Sequence, residues 1–135
     1  MTDAGFQFLH PRHWKRGKGY ANGIAADGRI VFVAGQVGWN AAQQFETDDF
    51  VAQTRQVLEN IAAVVREAGG TPQNITRLTW FVVDKSEYLS RLAEVGEAYR
   101  TVMGGHFPAM TMVQVVALIE DRAKVEIEAV AVLSR

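Results

Sequence analysis

The residues best placed to do chemistry lie near the end of the chain, on the run Val125-Glu126-Ile127-Glu128-Ala129-Val130-Ala131-Val132. In a strand, residues two apart share a face, so Glu126 and Glu128 fall on one side and Val125, Ile127 and Ala129 on the other. A carboxylate on such an apolar run has two readings. It pairs with Lys124 or Arg122 on a solvent-facing edge strand, or it is a functional acid. Periodicity alone leaves both readings of Glu126 open, and Glu128 reads as structural. The remaining chemistry-bearing residues form weaker patterns. His10 and His13 are three apart and His106 is remote, with no carboxylate at ligand spacing, so no metal is expected. Ser86, Ser90 and Ser134 have no nucleophile-elbow context, and the glycines form no phosphate loop after a strand. The segment His10-Pro11-Arg12-His13-Trp14-Lys15-Arg16-Gly17-Lys18 is strongly basic and reads as a solvated surface. A basic stretch with a tryptophan also suggests single-stranded nucleic acid.

Bulk composition narrows these readings. The 135 residues suffice for one domain, 1–135, and are too few for two. Hydrophobic residues make up 48% and charged residues 21%, as in an ordinary globular chain. The net charge of -1 argues against general binding of nucleic acid or anionic membranes. With no cysteine there is no disulfide, thiolate metal site or thiol nucleophile. Met1 to Gly5 lacks the basic and apolar regions of a signal peptide, and no run is apolar enough to span a membrane. A cytoplasmic location is therefore expected.

The elements that position these residues follow from periodicity. Phe6 to Leu9 alternates and predicts a short opening strand. Ile30 to Val37 is β-branched and apolar and predicts a strand, paired as a hairpin with Tyr20 to Ile24 across the Asp27-Gly28 turn. Phe50, Thr54, Val57, Leu58, Ile61, Val65 and Ala68 recur at helical spacing over about residues 48–69, with Thr47 as the cap and Gly69-Gly70 as the stop. Ile75 to Val83 is apolar on both faces and predicts a strand buried on both sides. A second helix, capped by Ser86, carries Leu89, Leu92, Val95, Gly96, Tyr99 and Met103. Strands at about 109–118 and 123–133 close the chain around a turn at Glu120-Asp121-Arg122. The order β-β-β-α-β-α-β-β predicts an α/β (α+β) sandwich: a mixed sheet of about six strands with two helices on one face. The other face, still apolar, predicts self-association.

Several segments together resemble the RidA/YjgF family. Phe107-Pro108-Ala109-Met110-Thr111-Met112-Val113 and the Val125–Val132 run resemble its C-terminal signature. Ala34-Gly35-Gln36 resembles the family's Ser-Gly-Gln. Ala52-Gln53-Thr54-Arg55-Gln56-Val57-Leu58-Glu59-Asn60-Ile61, closing with Arg66-Glu67-Ala68-Gly69, is similar to its first helix, and Val83-Asp84 to the strand end before its second helix. The match spans about 110 residues, from Tyr20 to Val132. The resemblance implies a chorismate-mutase-like fold, a homotrimer, and small-molecule pockets between subunits.

By the same resemblance the activity is hydrolysis of amino-acid enamines and imines without a cofactor. Glu126 matches the glutamate that positions the attacking water. Tyr20 lies at the pocket mouth, and Gly35, beside Ala34, is a backbone contact point. Met112 stands where many members carry cysteine, whose carbonyl helps hold the water. The chain departs from the pattern at Met110, where members have the arginine that grips the substrate carboxylate. Hydrogen bonds to charged groups are worth about 1.5–3 kcal/mol each, so losing a bidentate pair weakens capture about a hundredfold or more. Lys18 or Arg16 is the candidate substitute. Three functions stay open: a deaminase-like hydrolase of altered specificity, a non-catalytic binder of a small organic molecule, and a ribonuclease, for which some members were named. Trp39, where the family often has proline or a small residue, either reshapes the pocket wall or covers a loop.

Overall fold

The structure, a computed structural model, describes residues 5–135. The reading of Met1 to Gly5 as no signal peptide rests on residues 1–4 and lies outside the described residues. The most periodic segment forms the longest helix. Helix α1 (Phe50–Glu67) buries Phe50, Val57, Leu58, Ile61 and Val65 along one stripe, as a 3.6-residue repeat requires. Its cap is Asp49 rather than the expected Thr47: the Asp49 carboxylate accepts from the Ala52 N–H at 2.9 Å, while Thr47 Oγ1 accepts from the Asp49 N–H at 3.0 Å. An ionised acid both satisfies an orphan donor and meets the positive end of the helix dipole, so it wins over the hydroxyl. Arg91 donates to the other Asp49 oxygen at 2.7 Å and holds that carboxyl below its ordinary pKa.

Strands β3 (Arg29–Val37), β4 (Ile75–Val82), β5 (Ala109–Gln114) and β6 (Val125–Leu133) form one mixed sheet in the order β3-β6-β4-β5. The β4–β5 pair is parallel and the other two are antiparallel. Strands β1 (Gln7–Leu9) and β2 (Gly23–Ala25) pair with each other in a separate two-stranded sheet. The strand number is as expected, but six strands divide into four and two. The hairpin across Asp27-Gly28 does not form. Nine-residue β3 finds in nine-residue β6 an apolar partner of its own length, from Arg29 opposite Leu133 to Val37 opposite Glu126, whereas β2 is three residues long. Strand β5 also stops at Gln114 rather than near 118, its last side chain accepting from the Lys85 N–H at 2.8 Å.

The expected second helix is two. Helix α2 (Lys85–Ser90) and helix α3 (Leu92–Met103) meet at Arg91, whose φ of −129° and ψ of 33° leave the helical region. Neither Gly nor Pro marks this break. Asp84, not Ser86, caps α2, accepting from the Ser86 and Glu87 N–H groups at 2.9 and 3.3 Å. The helices cover one sheet face, where Leu78, Trp80, Val125, Ile127 and Ala129 join the core. On the other face Ile30 is 57% exposed and Phe32 77%. No helix of the described residues is long and apolar enough to cross a membrane.

One buried polar residue ties the layers together. Gln53, fully buried in α1, donates to the carbonyls of Thr47 and Arg122 at 3.0 Å and accepts from the Lys124 N–H at 2.8 Å. It thereby fixes the loop that feeds β6. Gln53→Leu strands these backbone groups in a dry setting, where each unsatisfied group costs about 1–3 kcal/mol. Urea unfolding is expected to show a loss of roughly 2–4 kcal/mol; a loss under about 0.5 kcal/mol, the size of an ordinary surface substitution, contradicts the role.

Candidate functional site

The edge strand β5 builds one half of the site. Ala21 bridges Ala109 in parallel, and its N–H donates to the Pro108 carbonyl at 3.0 Å. That bond pins the preceding Lys18-Gly19-Tyr20 stretch beside the start of β5. The Tyr20 ring lies directly over Gly17, where any Cβ would collide with it. Parallel register sets Met110 beside Leu78 and Met112 beside Trp80, so both methionines take the helix-covered face. Between this end of the sheet and α2–α3 lies a cavity of about 290 Å³ that Lys18, Tyr20, Met110 and Met112 line. Leu92 and Val95 close it from the helix side. Its aromatic wall is a near-parallel series. Trp80 and Tyr99 rings are 6.4 Å apart at 24°, and Tyr99 and Phe107 are 5.2 Å apart at 12°. The Tyr99 hydroxyl donates to the His106 carbonyl at 2.7 Å, which locks the ring, and burial pushes its pKa well up. Trp80 Nε1 is buried without a hydrogen-bond partner among the described residues.

The second half lies on the other face. Glu126 stands opposite Phe81 on β4 and Val37 on β3, so its strand is interior, not the edge strand that the ion-pair reading needed. The two cations of that reading are engaged elsewhere: Lys124 with Glu87 at 3.7 Å and Arg122 with Asp48 at 2.9 Å. Glu126 enters none of the ion pairs among the described residues. Its carboxylate instead lies over Gly35, in the bulge that shifts the β3–β6 register between Val33 and Gln36. A Cβ at position 35 would overlap a Glu126 carboxylate oxygen, so the bare backbone is what admits the acid there. Ala34 lines a separate hollow with Glu128 and Arg77.

The chain thus gathers its candidates into two groups. Tyr20, Met110 and Met112 share the cavity, Ala34, Gly35 and Glu126 share the β3–β6 corner, and the sheet lies between the groups. The sequence reading placed Trp80, Tyr99 and Phe107 among strand and helix-stripe residues and missed them as cavity wall.

The fit of Glu126 over Gly35 gives a direct test. Gly35→Ala forces the carboxylate aside, an overpacking cost of about 1–3 kcal/mol in chemical unfolding. In a Glu126→Ala background most of that cost is expected to vanish, as a double-mutant cycle reads it. Equal costs in both backgrounds contradict the contact.

Comparison with known proteins adds context to this geometry. The family model described as Endoribonuclease L-PSP matches residues 15–133. A RutC family protein of Haemophilus influenzae is 37% identical over 105 residues, covering 78% of this chain and 80% of its own length. A 2-iminobutanoate/2-iminopropanoate deaminase of Salmonella typhimurium is 36% identical over 113 residues, covering 84% and 86%. Among solved structures, the Rid-family protein YyfB of Yersinia pestis, itself of unknown function, superposes with a TM-score of 0.85 at 32% identity, covering 95% of this chain and 98% of its own.

Proposed function

This chain belongs to the RidA/YjgF family, the family of the Endoribonuclease L-PSP model, and from that premise we propose that it is a homotrimeric, cofactor-independent hydrolase of C=N bonds with altered specificity. The observation that carries the reading is the Glu126 carboxylate, held over bare backbone at Gly35 on an interior strand and outside the ion pairs around it. An acid so placed is available to a water. In the proposed trimer the open face of one copy meets its neighbours, and the β3–β6 corner of one copy completes the β5 cavity of the next. Strands β3 and β5 are the lateral strands of the sheet, and in the proposed trimer β3 of one copy meets β5 of the next. The two groups of candidates then form one site.

The chemistry follows from the parts. Glu126 takes a proton from water as the oxygen adds to the C=N carbon, and the Met112 carbonyl anchors the same water. Glu126 passes that proton to the nitrogen to give the carbinolamine, whose hydroxyl proton then moves to the nitrogen as the C–N bond breaks, leaving a carbonyl and ammonia. Gly35 and Tyr20 orient the substrate. General-base help of this kind contributes about 10²–10⁴-fold. Glu126→Gln is therefore expected to lower turnover of imines released by an amino-acid oxidase at least about a hundredfold. Retention of most of the rate removes Glu126 from the mechanism.

Met110 sets the specificity. It offers no donor to a carboxylate, and its thioether adds flexible apolar surface. Small aliphatic 2-imino acids such as 2-iminopropionate are expected to turn over slowly. Met110→Arg is expected to raise their kcat/KM by about tenfold or more through the regained charge-assisted bonds. An unchanged kcat/KM in that variant contradicts the assignment of position 110. The same absence of a cation favours a second reading, a binder without turnover. Ligand-induced thermal stabilisation with no conversion over hours distinguishes it from the hydrolase.

A further inference from the structure

We propose that Arg77 and Glu128 are two halves of an ion pair made between copies of the chain. The Arg77 guanidinium on the open face of one copy meets the Glu128 carboxylate of the next, and the pair dictates which way round the copies close. The inference rests on the proposed trimer and names what selects its arrangement.

Three observations carry it. The first is that both charges lack a partner. Arg77 on β4 stands opposite Val130, and Glu128 on β6 stands opposite Thr79. They are diagonal neighbours on adjacent strands, within reach of each other for long side chains. Both are exposed, and both line the hollow that Phe32 and Ala34 share. Yet neither enters an ion pair among the described residues. The second is the surface around them. Phe32, 77% exposed, stands opposite Val130, which stands opposite Arg77 in turn. The charges are thus set in apolar surface that assembly takes out of water. A charge desolvated there without a partner is strongly destabilising. Covering this face therefore requires that each charge meet its opposite.

The third observation is direction. In the order β3-β6-β4-β5 the acid lies on the strand beside β3 and the cation on the strand beside β5. The face has a negative side and a positive side. A head-to-tail ring, with β3 of one copy toward β5 of the next, turns unlike sides together at every contact. Bringing two β3 sides together opposes acid to acid, and two β5 sides cation to cation. Apolar area supplies the attraction, and the charges exclude the wrong arrangements.

Sedimentation and native mass spectrometry of full-length charge-reversal variants test this. Arg77→Glu sets acid against acid at each contact, and Glu128→Arg sets cation against cation. Each is expected to stay as single chains up to concentrations about a hundredfold above those at which the wild type dissociates. The double variant regains opposite charges and is expected to return to within about tenfold of the wild type. Mixing the two single variants separates a pair between copies from a pair within one chain. Mixed trimers, resolved by mass, are expected where neither variant assembles alone. Single variants that assemble like the wild type, or a mixture that assembles no better than its components, overturn the proposal. Should a reversal unfold the chain, the cycle of Arg77→Gln and Glu128→Gln decides: coupling in trimer dissociation supports the pair, and strict additivity overturns it. A wild type that never assembles sinks the trimer reading and this inference together, whereas a trimer indifferent to these charges sinks this inference alone.

Discussion

Ile30 and Phe32 stand on a strand whose opposite side is sealed by helices, and nothing among the described residues covers them. Apolar area exposed on this scale costs about 25 cal/mol per Å² relative to burial, and contiguous patches of it mark interaction surfaces. The sheet is built so that one face is satisfied within the chain and the other is not. The acid at 126 shares the unsatisfied face, whereas the methionines at 110 and 112 share the satisfied one.

Each half-site is held by ordinary means. Gly35 leaves space for a carboxylate on a central strand. A single backbone bond from Ala21 to Pro108 sets the Lys18–Tyr20 stretch against β5. Tyr99 gives up its hydroxyl to His106 and becomes wall rather than reagent. The economy is local, but the halves complete each other only through the proposed trimer. In that trimer the open face is roofed by neighbouring copies, and the Glu126 carboxylate, outside the ion pairs among the described residues, is used there.

The long-period features were legible in the sequence. The helix at Phe50–Glu67 came from its stripe, and the two-faced character of β6 from the alternation of Glu126 and Glu128 with Val125 and Ile127. The hairpin across Asp27-Gly28 was misread because turn chemistry is local, while the partner of β3 is decided by a strand about a hundred residues away. The break at Arg91 left no mark because no Gly or Pro makes it. Ser86 and Thr47 lost their caps to neighbouring aspartates, which do the same work with charge. Resemblance supplied Tyr20, Met110, Met112 and Glu126 as positions. It gave no sign that one chain parts them across a sheet.

The central claim is that the uncovered face drives assembly and that assembly unites the halves. Sedimentation equilibrium at micromolar concentration addresses it most directly. The account predicts one species at three times the 14.9 kDa chain mass, dissociated to single chains when Phe32 is replaced by Glu. A wild-type protein that sediments as a single chain would contradict it.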